Sequence, residues 1–334
     1  MNKVTLIPGD GIGPEIVEAV KAIFAAAQAP IVWEEEIIGK TALEAKGALI
    51  PQDLINSIER NKIALKGPAE TPIGEGFKSV NVQLRQLFDL YANIRPCKNI
   101  EGIESRYEDV DLVIFRENTE GLYSGLDYYD ERLKIADAIS RITEKGSQRI
   151  LDAAFAFAAR ENRKKVTLVH KANILKQSGR LLLEAGARAH ARHPEIEFED
   201  KIIDNMAMQL VRNPERYDVI VTSNLFGDIL SDLCAGLVGG LGVVSGANIG
   251  DDIAIFEAVH GTAPDIAGKG IANPTALLRS AIMMLVHLKE NEIAQKIDQA
   301  LTKTLANKEL CTGDLGGPAN TETFTKNVIS FLNP

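Results

Sequence analysis

The stretch "GDGIGPE" at residues 9–15 stands between a strand-like run and a helix-like run, and its role decides the fold. A dinucleotide-binding Rossmann loop requires G-x-G-x-x-G, whose third glycine permits close packing of helix on strand. Gly9 and Gly11 fit, but Gly13 comes one position early and Pro14 occupies the required place. The acidic run at 34–36 does lie at a suitable distance for a ribose partner. A tight turn that packs the helix onto the strand is nevertheless the better interpretation.

Strand-like and helix-like patterns alternate outward from this turn. The strand-like runs are rich in β-branched residues and include "KVTLI", "KIALKGP", "LYANIRP", "VDLVIFREN", "KVTLVHKAN" and "DVIVTSN". Segments with helical periodicity include "TEKGSQRILDAAFAFAAREN" and "NPTALLRSAIMMLVHL", and a first helix is predicted from about Pro14. Such alternation is typical of an α/β protein. The segment 131–143 has no clear period, and we interpret it as an extended arm.

Composition limits the partners of the chain. It has 334 residues and a formal net charge of −9, which argues against nucleic acid or an anionic membrane as the main partner. The three cysteines are far apart and odd in number, so a disulfide framework is not expected. No apolar run approaches the roughly 20 residues of a membrane helix. The N-terminus has no leader pattern, so we expect a cytoplasmic protein.

Positive charge is concentrated in one segment of this acidic chain. The cations of the segment are Lys78, Arg85, Arg95 and Lys98. Arginine side chains bind carboxylates in a bidentate manner, and Ser79 and Asn81 add a hydroxyl and an amide beside them. A solvated helix face with Ser79 as its N-cap is the equally plausible structural alternative.

Two further strand-like runs end in polar side chains. "RENTEGLYSG" contains Arg116 and Tyr123, and "LVHKANIL" contains Lys171 and Asn173. Ligands of open α/β sheets bind at the carboxyl ends of strands, so these loops are candidate site residues. Each could instead be an ordinary surface loop.

Three aspartates are candidate metal ligands. Asp228 and Asp232 are four residues apart, so on a helix they share one face, and Asp204 follows another strand-like run. Ligation by oxygen alone suits Mg²⁺ or Mn²⁺ rather than zinc. The same acids could lie on a solvated helix surface.

Taken together, these stretches resemble the β-decarboxylating dehydrogenases, the isocitrate/isopropylmalate dehydrogenase family. The resemblance runs through "GDGIGPE", "LYANIRP", "RENTEG", "HKANI", "NLFGDILSD", "HGTAPDIAGKGIANP" and "DLGG", nearly the whole chain. It implies an isocitrate/isopropylmalate dehydrogenase-type α/β fold with two domains flanking a cleft, not a Rossmann fold. The large domain would comprise 1–90 and 239–334, and the small domain 91–238, with a clasp arm at about 124–143.

The resemblance moves the cofactor site away from "GDGIGPE". It implies that NAD is contacted by Thr71, Glu257, His260, Gly261, Thr262, Ala263, Asp265, Ile266 and Asn273. NADP-using relatives carry lysine and tyrosine at the positions of Asp265 and Ile266. A carboxylate accepts hydrogen bonds from ribose hydroxyls and repels a 2′-phosphate, so NAD is expected.

The resemblance also assigns substrate, metal and catalytic roles. The substrate would be bound by Ser79, Asn81, Arg85, Arg95, Arg116 and Asn173. Asp204, Asp228 and Asp232 would bind Mg²⁺ or Mn²⁺, and Tyr123 and Lys171 would be the acid–base pair. Family members are dimers, so Lys171 and Asp204 are expected to serve the neighbouring chain's site in a homodimer or higher homo-oligomer.

The implied reaction is the oxidative decarboxylation of isocitrate, a tricarboxylate, to 2-oxoglutarate. Ser79 and Asn81 stand where isocitrate enzymes bind the γ-carboxylate. Homoisocitrate differs by one methylene, typically about 1–3 kcal/mol of discrimination, so it remains an alternative or second substrate. A 3-isopropylmalate or tartrate dehydrogenase is less favoured. So is a regulatory, non-catalytic member of a hetero-oligomeric enzyme, because every expected catalytic residue is present.

Overall fold

The computed structural model describes residues 1–72 and 78–332. The strands are β1 Asn2–Ile7, β2 Ile31–Glu35, β3 Ile63–Lys66, β4 Ala92–Lys98, β5 Asp111–Glu117, β6 Asp127–Asp130, β7 Ile135–Ala138, β8 Lys165–His170, β9 Glu197–Ile202, β10 Val219–Thr222, β11 Ser245–Ile249 and β12 Ala254–Ala258. The helices are α1 Gly13–Ala26, α2 Gly39–Lys46, α3 Gln52–Asn61, α4 Val80–Leu87, α5 Glu144–Arg160, α6 Lys176–Arg192, α7 Ile203–Arg212, α8 Asn224–Leu237, α9 Thr275–His287, α10 Asn291–Leu305 and α11 Thr321–Ser330. Across these ranges no helix combines the length and the apolar character needed to cross a bilayer.

The first strand and helix follow directly from local sequence. Pro14 lies in the first turn of α1, where its missing N–H costs no hydrogen bond, and Glu15 places negative charge at the helix N-terminus. The helix buries its apolar stripe, including Ile16, Val20 and Ile23, against the sheet. The predicted α/β alternation is therefore confirmed, beginning with this unit.

A ten-stranded mixed sheet organises the chain, in the order β2-β1-β3-β12-β11-β4-β5-β10-β8-β9. The four strands at each end are parallel to one another, and the antiparallel strands β11 and β4 join the two sets. The β11–β4 pair is also where strands of 1–90 and 239–334 meet strands of 91–238. The division into two domains at that point stays a prediction.

Helices cover both faces of the sheet. One face packs against α1, α9, α10 and α11 over one half and against α5 and α6 over the other. The opposite face is covered by α3 and α4 over β1, β3 and β12, and by α7 and α8 over β5 and β10. Between α4 and α8 the strands that meet at the centre of the sheet carry polar side chains, and these form the candidate site.

The predicted arm contains the antiparallel hairpin β6–β7. Five apolar side chains of the arm are exposed, namely Tyr128, Tyr129, Leu133, Ile135 and Ile139, and every residue of β7 is exposed. A hairpin of this kind does not bury a core of its own, which is consistent with a contact surface. Its role as a clasp stays a prediction.

Candidate active site

The glycine turn at 9–15 supports another loop. Gly11 has φ +61°, and a Cβ at that position would lie 2.1 Å from the carbonyl oxygen of Thr262. The amide of Ile12 donates to the same oxygen at 2.9 Å. Glu15 accepts a hydrogen bond from the amide of Gly270 at 2.9 Å. The turn therefore holds the segment 262–270, and its glycine is required by close backbone packing.

Replacing Gly11 by alanine tests this role. We expect Gly11→Ala to lower the free energy of unfolding by roughly 1–3 kcal/mol, because the new Cβ meets backbone at a left-handed φ. Urea unfolding measures the loss. The matched control is Gly236→Ala in α8, where no atom lies within 4 Å of the added Cβ and no loss is expected. A Gly11→Ala protein as stable as the control would contradict the packing role.

A polar strip runs across the sheet on the face between α4 and α8. In strand register, Glu257 lies opposite Lys66, and Asn248 lies opposite Asn93, which lies opposite Arg116. Side chains directly opposite in neighbouring strands point to the same face. All five residues are buried, with Lys66 only 2% exposed. Buried polar groups in such number indicate a functional surface rather than a core layer.

Three arginines converge on this strip. Arg85 extends from α4, Arg95 from β4 and Arg116 from β5, and all three are buried, Arg116 to 1% exposure. Burial together with the charge of Arg85 lowers the pKa of Arg116 to about 10. The Nε atoms of Arg85 and Arg95 have no partner among the described residues. Mutual repulsion of three buried cations favours an anion between them.

Tyr123 and Asp228 form the acid–base part of the site. The Tyr123 hydroxyl donates to Asp228 Oδ2 at 2.5 Å, and Arg116 both contacts Asp228 and lies 5.1 Å from the Tyr123 ring centre. Burial and the carboxylate raise the pKa of Tyr123. Burial would raise the pKa of Asp228, but Arg116 and the tyrosine hydroxyl outweigh it and lower that pKa. At neutral pH the pair is therefore a protonated phenol held by a carboxylate.

These groups surround one cavity of about 250 Å³. Ten of the predicted site residues line it: Ser79, Asn81, Arg85, Arg95, Arg116, Tyr123, Asp228, Glu257, His260 and Gly261. They come from segments that are far apart in the sequence. The fold brings them to the gap between α4 and α8.

Other predicted site residues lie outside this cavity. Lys171 donates to Asp204 at 2.5 Å, and the Asp204 side chain is 70% exposed. Asn173 is exposed in the same loop as Lys171, and Asp232 pairs with Arg95 at 3.0 Å. Within residues 1–72 and 78–332 no three carboxylate, histidine or cysteine groups converge as a metal site. A single chain therefore lacks part of the expected set, and the assignment of Lys171 and Asp204 to a neighbour's site stays a prediction.

The predicted cofactor loop follows β12 at the edge of the cavity. Asn273 donates to Asp314 at 2.9 Å, which ties this loop to the "DLGG" segment. Burial lowers the pKa of His260, so its ring is neutral at pH 7. Asp265 is exposed, and Thr71 accepts a hydrogen bond from the first amide of α4 at 3.0 Å.

Sequence reasoning missed Lys66, Asn93 and Asn248. Lys66 forms an ion pair with Glu257 at 2.7 Å. Burial would raise the pKa of Glu257, but Lys66 and Arg85 outweigh it and lower that pKa to about 2. The sequence did contain one signal for Lys66, because a lysine at the end of the apolar run "IALK" indicates a buried charge that needs a partner. The asparagines gave none, because the pattern does not show which strands are neighbours.

Comparison with known proteins identifies the family of the chain. The sequence profile of the family described as isocitrate/isopropylmalate dehydrogenase matches residues 3–328. The chain is 51% identical to a Drosophila melanogaster protein named as the probable alpha chain of NAD isocitrate dehydrogenase, over 99% of this chain and 88% of that protein. It is also 51% identical to a regulatory chain of NAD isocitrate dehydrogenase from Dictyostelium discoideum, over 99% of this chain and 92% of that protein. The crystal structure of isocitrate dehydrogenase from Methylococcus capsulatus matches with TM-score 0.97 and 49% identity, over 100% of both chains.

These relatives correct one expectation. The names of the Drosophila and Dictyostelium proteins, and of curated relatives from Arabidopsis thaliana and Macaca fascicularis, place those proteins in the mitochondrion. These names contradict the expected cytoplasmic location. That expectation rested on the absence of a leader pattern, which is not sufficient evidence for it. The predicted fold, by contrast, is confirmed by the family match and by the structural neighbour. The chain belongs to the isocitrate/isopropylmalate dehydrogenase family.

Proposed function

We propose that this protein catalyses the oxidative decarboxylation of isocitrate to 2-oxoglutarate and CO₂ with reduction of NAD⁺. The observation that carries the proposal is the cavity in which three buried arginines face Tyr123 and Asp228. The relatives named as NAD-dependent isocitrate dehydrogenases support both substrate and cofactor.

The substrate groups are matched by residues of the cavity. Arg85, Arg95 and Arg116 supply guanidinium groups for carboxylates, and such charge-assisted pairs are the strong ones. Ser79 and Asn81 line the same cavity, and the Ser79 hydroxyl and the Asn81 side-chain NH₂ are hydrogen-bond donors for a carboxylate. They are the proposed site of the γ-carboxylate, with Asn173 beside the substrate. Homoisocitrate, longer by one methylene, remains the second candidate.

The acidic side chains near the cavity fit a divalent cation in their chemistry. Asp228 and Asp232 lie on α8 with exposed carboxylate surface, and Asp204 would come from a partner chain. Carboxylate oxygens suit Mg²⁺ or Mn²⁺. When bound, the cation would supply Lewis-acid stabilisation of negative charge on substrate oxygens.

The protein side chains divide the remaining work. The arginines bind and orient the substrate, and the partner's Lys171 removes the proton of the substrate hydroxyl. NAD⁺, when bound, supplies the hydride acceptor. Tyr123, kept protonated by its raised pKa, donates the proton that completes decarboxylation.

We further propose a homodimer with shared active sites. The names of the relatives describe subunits, one of them regulatory, and so do not by themselves establish a homodimer. Exposed apolar side chains on neighbouring elements support a buried contact: Met208 and Val211 on α7, Ile229 on α8, and Tyr129 on the arm. Residues 1–90 with 239–334, and 91–238, are the proposed large and small domains.

Turnover by the purified chain tests the function. We expect NADH formation with Mg²⁺ and isocitrate, at a kcat/KM well above that for homoisocitrate, 3-isopropylmalate or NADP⁺. A preference for homoisocitrate would contradict the proposal that isocitrate is the substrate, but it would leave the proposed type of reaction unchanged. No turnover with any of them would favour a regulatory role in a larger enzyme.

Cofactor choice gives a separate prediction. Asp265→Lys combined with Ile266→Tyr should lower the NAD⁺ to NADP⁺ ratio of kcat/KM by roughly a hundredfold, because a 2′-phosphate gains a charge-assisted hydrogen bond where a carboxylate repelled it. Steady-state kinetics with both cofactors measures the ratio. The control is Asp252→Lys, an exposed acid on the loop before β12. An unchanged ratio in the double variant would remove Asp265 from cofactor selection.

A further inference from the structure

Asn248, which has no role in the proposed chemistry, is the centre of a buried hydrogen-bond network of side-chain amides. Its Oδ1 accepts hydrogen bonds from Asn93 Nδ2 and Asn118 Nδ2, both at 2.9 Å. Its Nδ2 donates to Glu257 Oε1 at 2.7 Å. Asn248 is 2% exposed, and its three partners are buried as well. The amide therefore has only one orientation that satisfies its neighbours.

The network connects strands from both halves of the sheet. Asn93 lies on β4, Asn118 follows β5, Asn248 lies on β11 and Glu257 lies on β12. Asn118 is itself fixed, since its Nδ2 also donates to the carbonyl of Leu90 at 3.0 Å. The Asn248 side chain is therefore held by residues of the β4–β5 side, and it in turn holds the Glu257 carboxylate.

Glu257 has two other partners, both cations, one at each carboxylate oxygen. Lys66 binds Oε2 at 2.7 Å, and Arg85 approaches Oε1 at 3.5 Å. Without a third partner the carboxylate could rotate towards either cation. The hydrogen bond from Asn248 Nδ2 to Oε1 is shorter than the contact of Arg85 with the same oxygen. It therefore fixes the position of Oε1 and leaves Arg85 available to the cavity.

We propose that Asn248 is a positioning residue for the reaction, which orients the Glu257 carboxylate for the cofactor and keeps Arg85 free for the substrate. The inference rests on the proposed function and on the contact between Glu257 and NAD that the family resemblance implies. Asn248 touches neither ligand and acts only through Glu257.

The variant Asn248→Asp tests the hydrogen bond from Asn248 to Glu257 separately from the other bonds of the network. The change replaces the Nδ2 donor by an oxygen and keeps the acceptor for Asn93 and Asn118. Two carboxylates then face each other, and such a pair either separates or shares a proton. We expect KM for NAD⁺ to rise roughly tenfold or more, with a smaller change in kcat, since a hydrogen bond to a charged group is lost. Lowering the pH should reduce the defect, because a shared proton restores the bond.

Among the described residues, the charged groups that act on Glu257 are Lys66 from β3, Arg85 from α4 and Arg95 from β4. Arg116 from β5 lies on the same face, opposite Asn93 in the strand register. These cations are shared by wild type and variant. A pH dependence found only in Asn248→Asp therefore reports on the new carboxylate pair.

Two further variants complete the test. Ser280→Ala removes a buried hydrogen bond of 2.8 Å to the Glu257 main-chain carbonyl, leaves the carboxylate partners in place, and should keep the wild-type KM for NAD⁺. Asn248→Ser replaces the amide by a shorter hydroxyl and so withdraws the Nδ2 donor from Glu257 without adding charge, and KM should rise without the pH dependence. It also provides the test if Asn248→Asp does not fold.

The outcomes separate this inference from the proposed function. NADH binding, followed by fluorescence, gives a readout that does not depend on turnover. If the wild-type protein binds NADH but does not oxidise isocitrate, only the proposed substrate is contradicted, and the role of Asn248 in cofactor binding can still be tested. Asn248 variants that bind NADH and turn over like wild type, or that lose affinity no more than Ser280→Ala, would overturn the role of Asn248.

Discussion

A mixture of Lys171→Met and Tyr123→Phe chains is expected to recover about a quarter of wild-type activity. Each variant alone should lose roughly 10²–10⁴-fold in kcat, the usual contribution of a general acid or base. Lys171 pairs with Asp204 outside the cavity that contains Tyr123, so the two are proposed to meet only across a dimer. Each hybrid dimer then has one intact site and one doubly defective site. Random assortment makes half of the dimers hybrids.

The measurement is NADH formation after the two variants are unfolded together and refolded, or after they are expressed together. Wild type taken through the same procedure provides the reference, and each variant refolded alone provides the background. If both residues served the same chain's site, every site in a hybrid would still carry one defect. Activity no higher than background, in mixtures shown to contain hybrids, would therefore contradict the shared site.

Asp228→Asn is expected to have the second largest effect, a loss of about a thousandfold in kcat/KM. The carboxylate is the proposed ligand of the divalent cation, and it also holds the Tyr123 hydroxyl and contacts Arg116. The amide keeps the shape of the side chain but removes its charge. Mn²⁺ binding to the assembled protein, followed by its electron paramagnetic resonance signal, should weaken in parallel.

The control for this variant is Asp252→Asn, which changes an exposed acid away from the cavity and should alter neither activity nor Mn²⁺ affinity. Chelation of metal from wild type should likewise abolish turnover, and added Mg²⁺ or Mn²⁺ should restore it. An Asp228→Asn protein that binds Mn²⁺ as wild type does would remove Asp228 from the ligand set.

Much of the fold could be predicted because its signals are local. The alternation of β-branched runs with helical periods predicted the α/β class, and the misplaced third glycine argued against a Rossmann loop. Motif order then predicted which polar residues matter, including Arg85, Arg95 and Arg116. The fold class and the turn rest on residue type and spacing, which the chain shows directly, whereas the roles of the arginines are what the resemblance to the family implies.

The neighbours of each strand could not be predicted in the same way. In the sheet, the late strands β12 and β11 lie between the early strands β3 and β4. Asn93 on β4 therefore contacts Asn248 on β11, although the two are 155 residues apart in the sequence. The period of a strand shows which residues share a face, but not which strand lies beside it. For this reason the amide network around Glu257 left no trace in the sequence pattern.

The sequence by itself determined the α/β alternation, the acidic balance and the side chains available for chemistry at each strand end. Only the tertiary structure decided that Gly11 supports the 262–270 loop, that Lys66 and Asn248 surround Glu257, and that Lys171 and Asp204 lie apart from the cavity. The physical reason is that local conformation depends on neighbours along the chain. A site depends on backbone packing and strand order, which bring distant residues within a few ångströms.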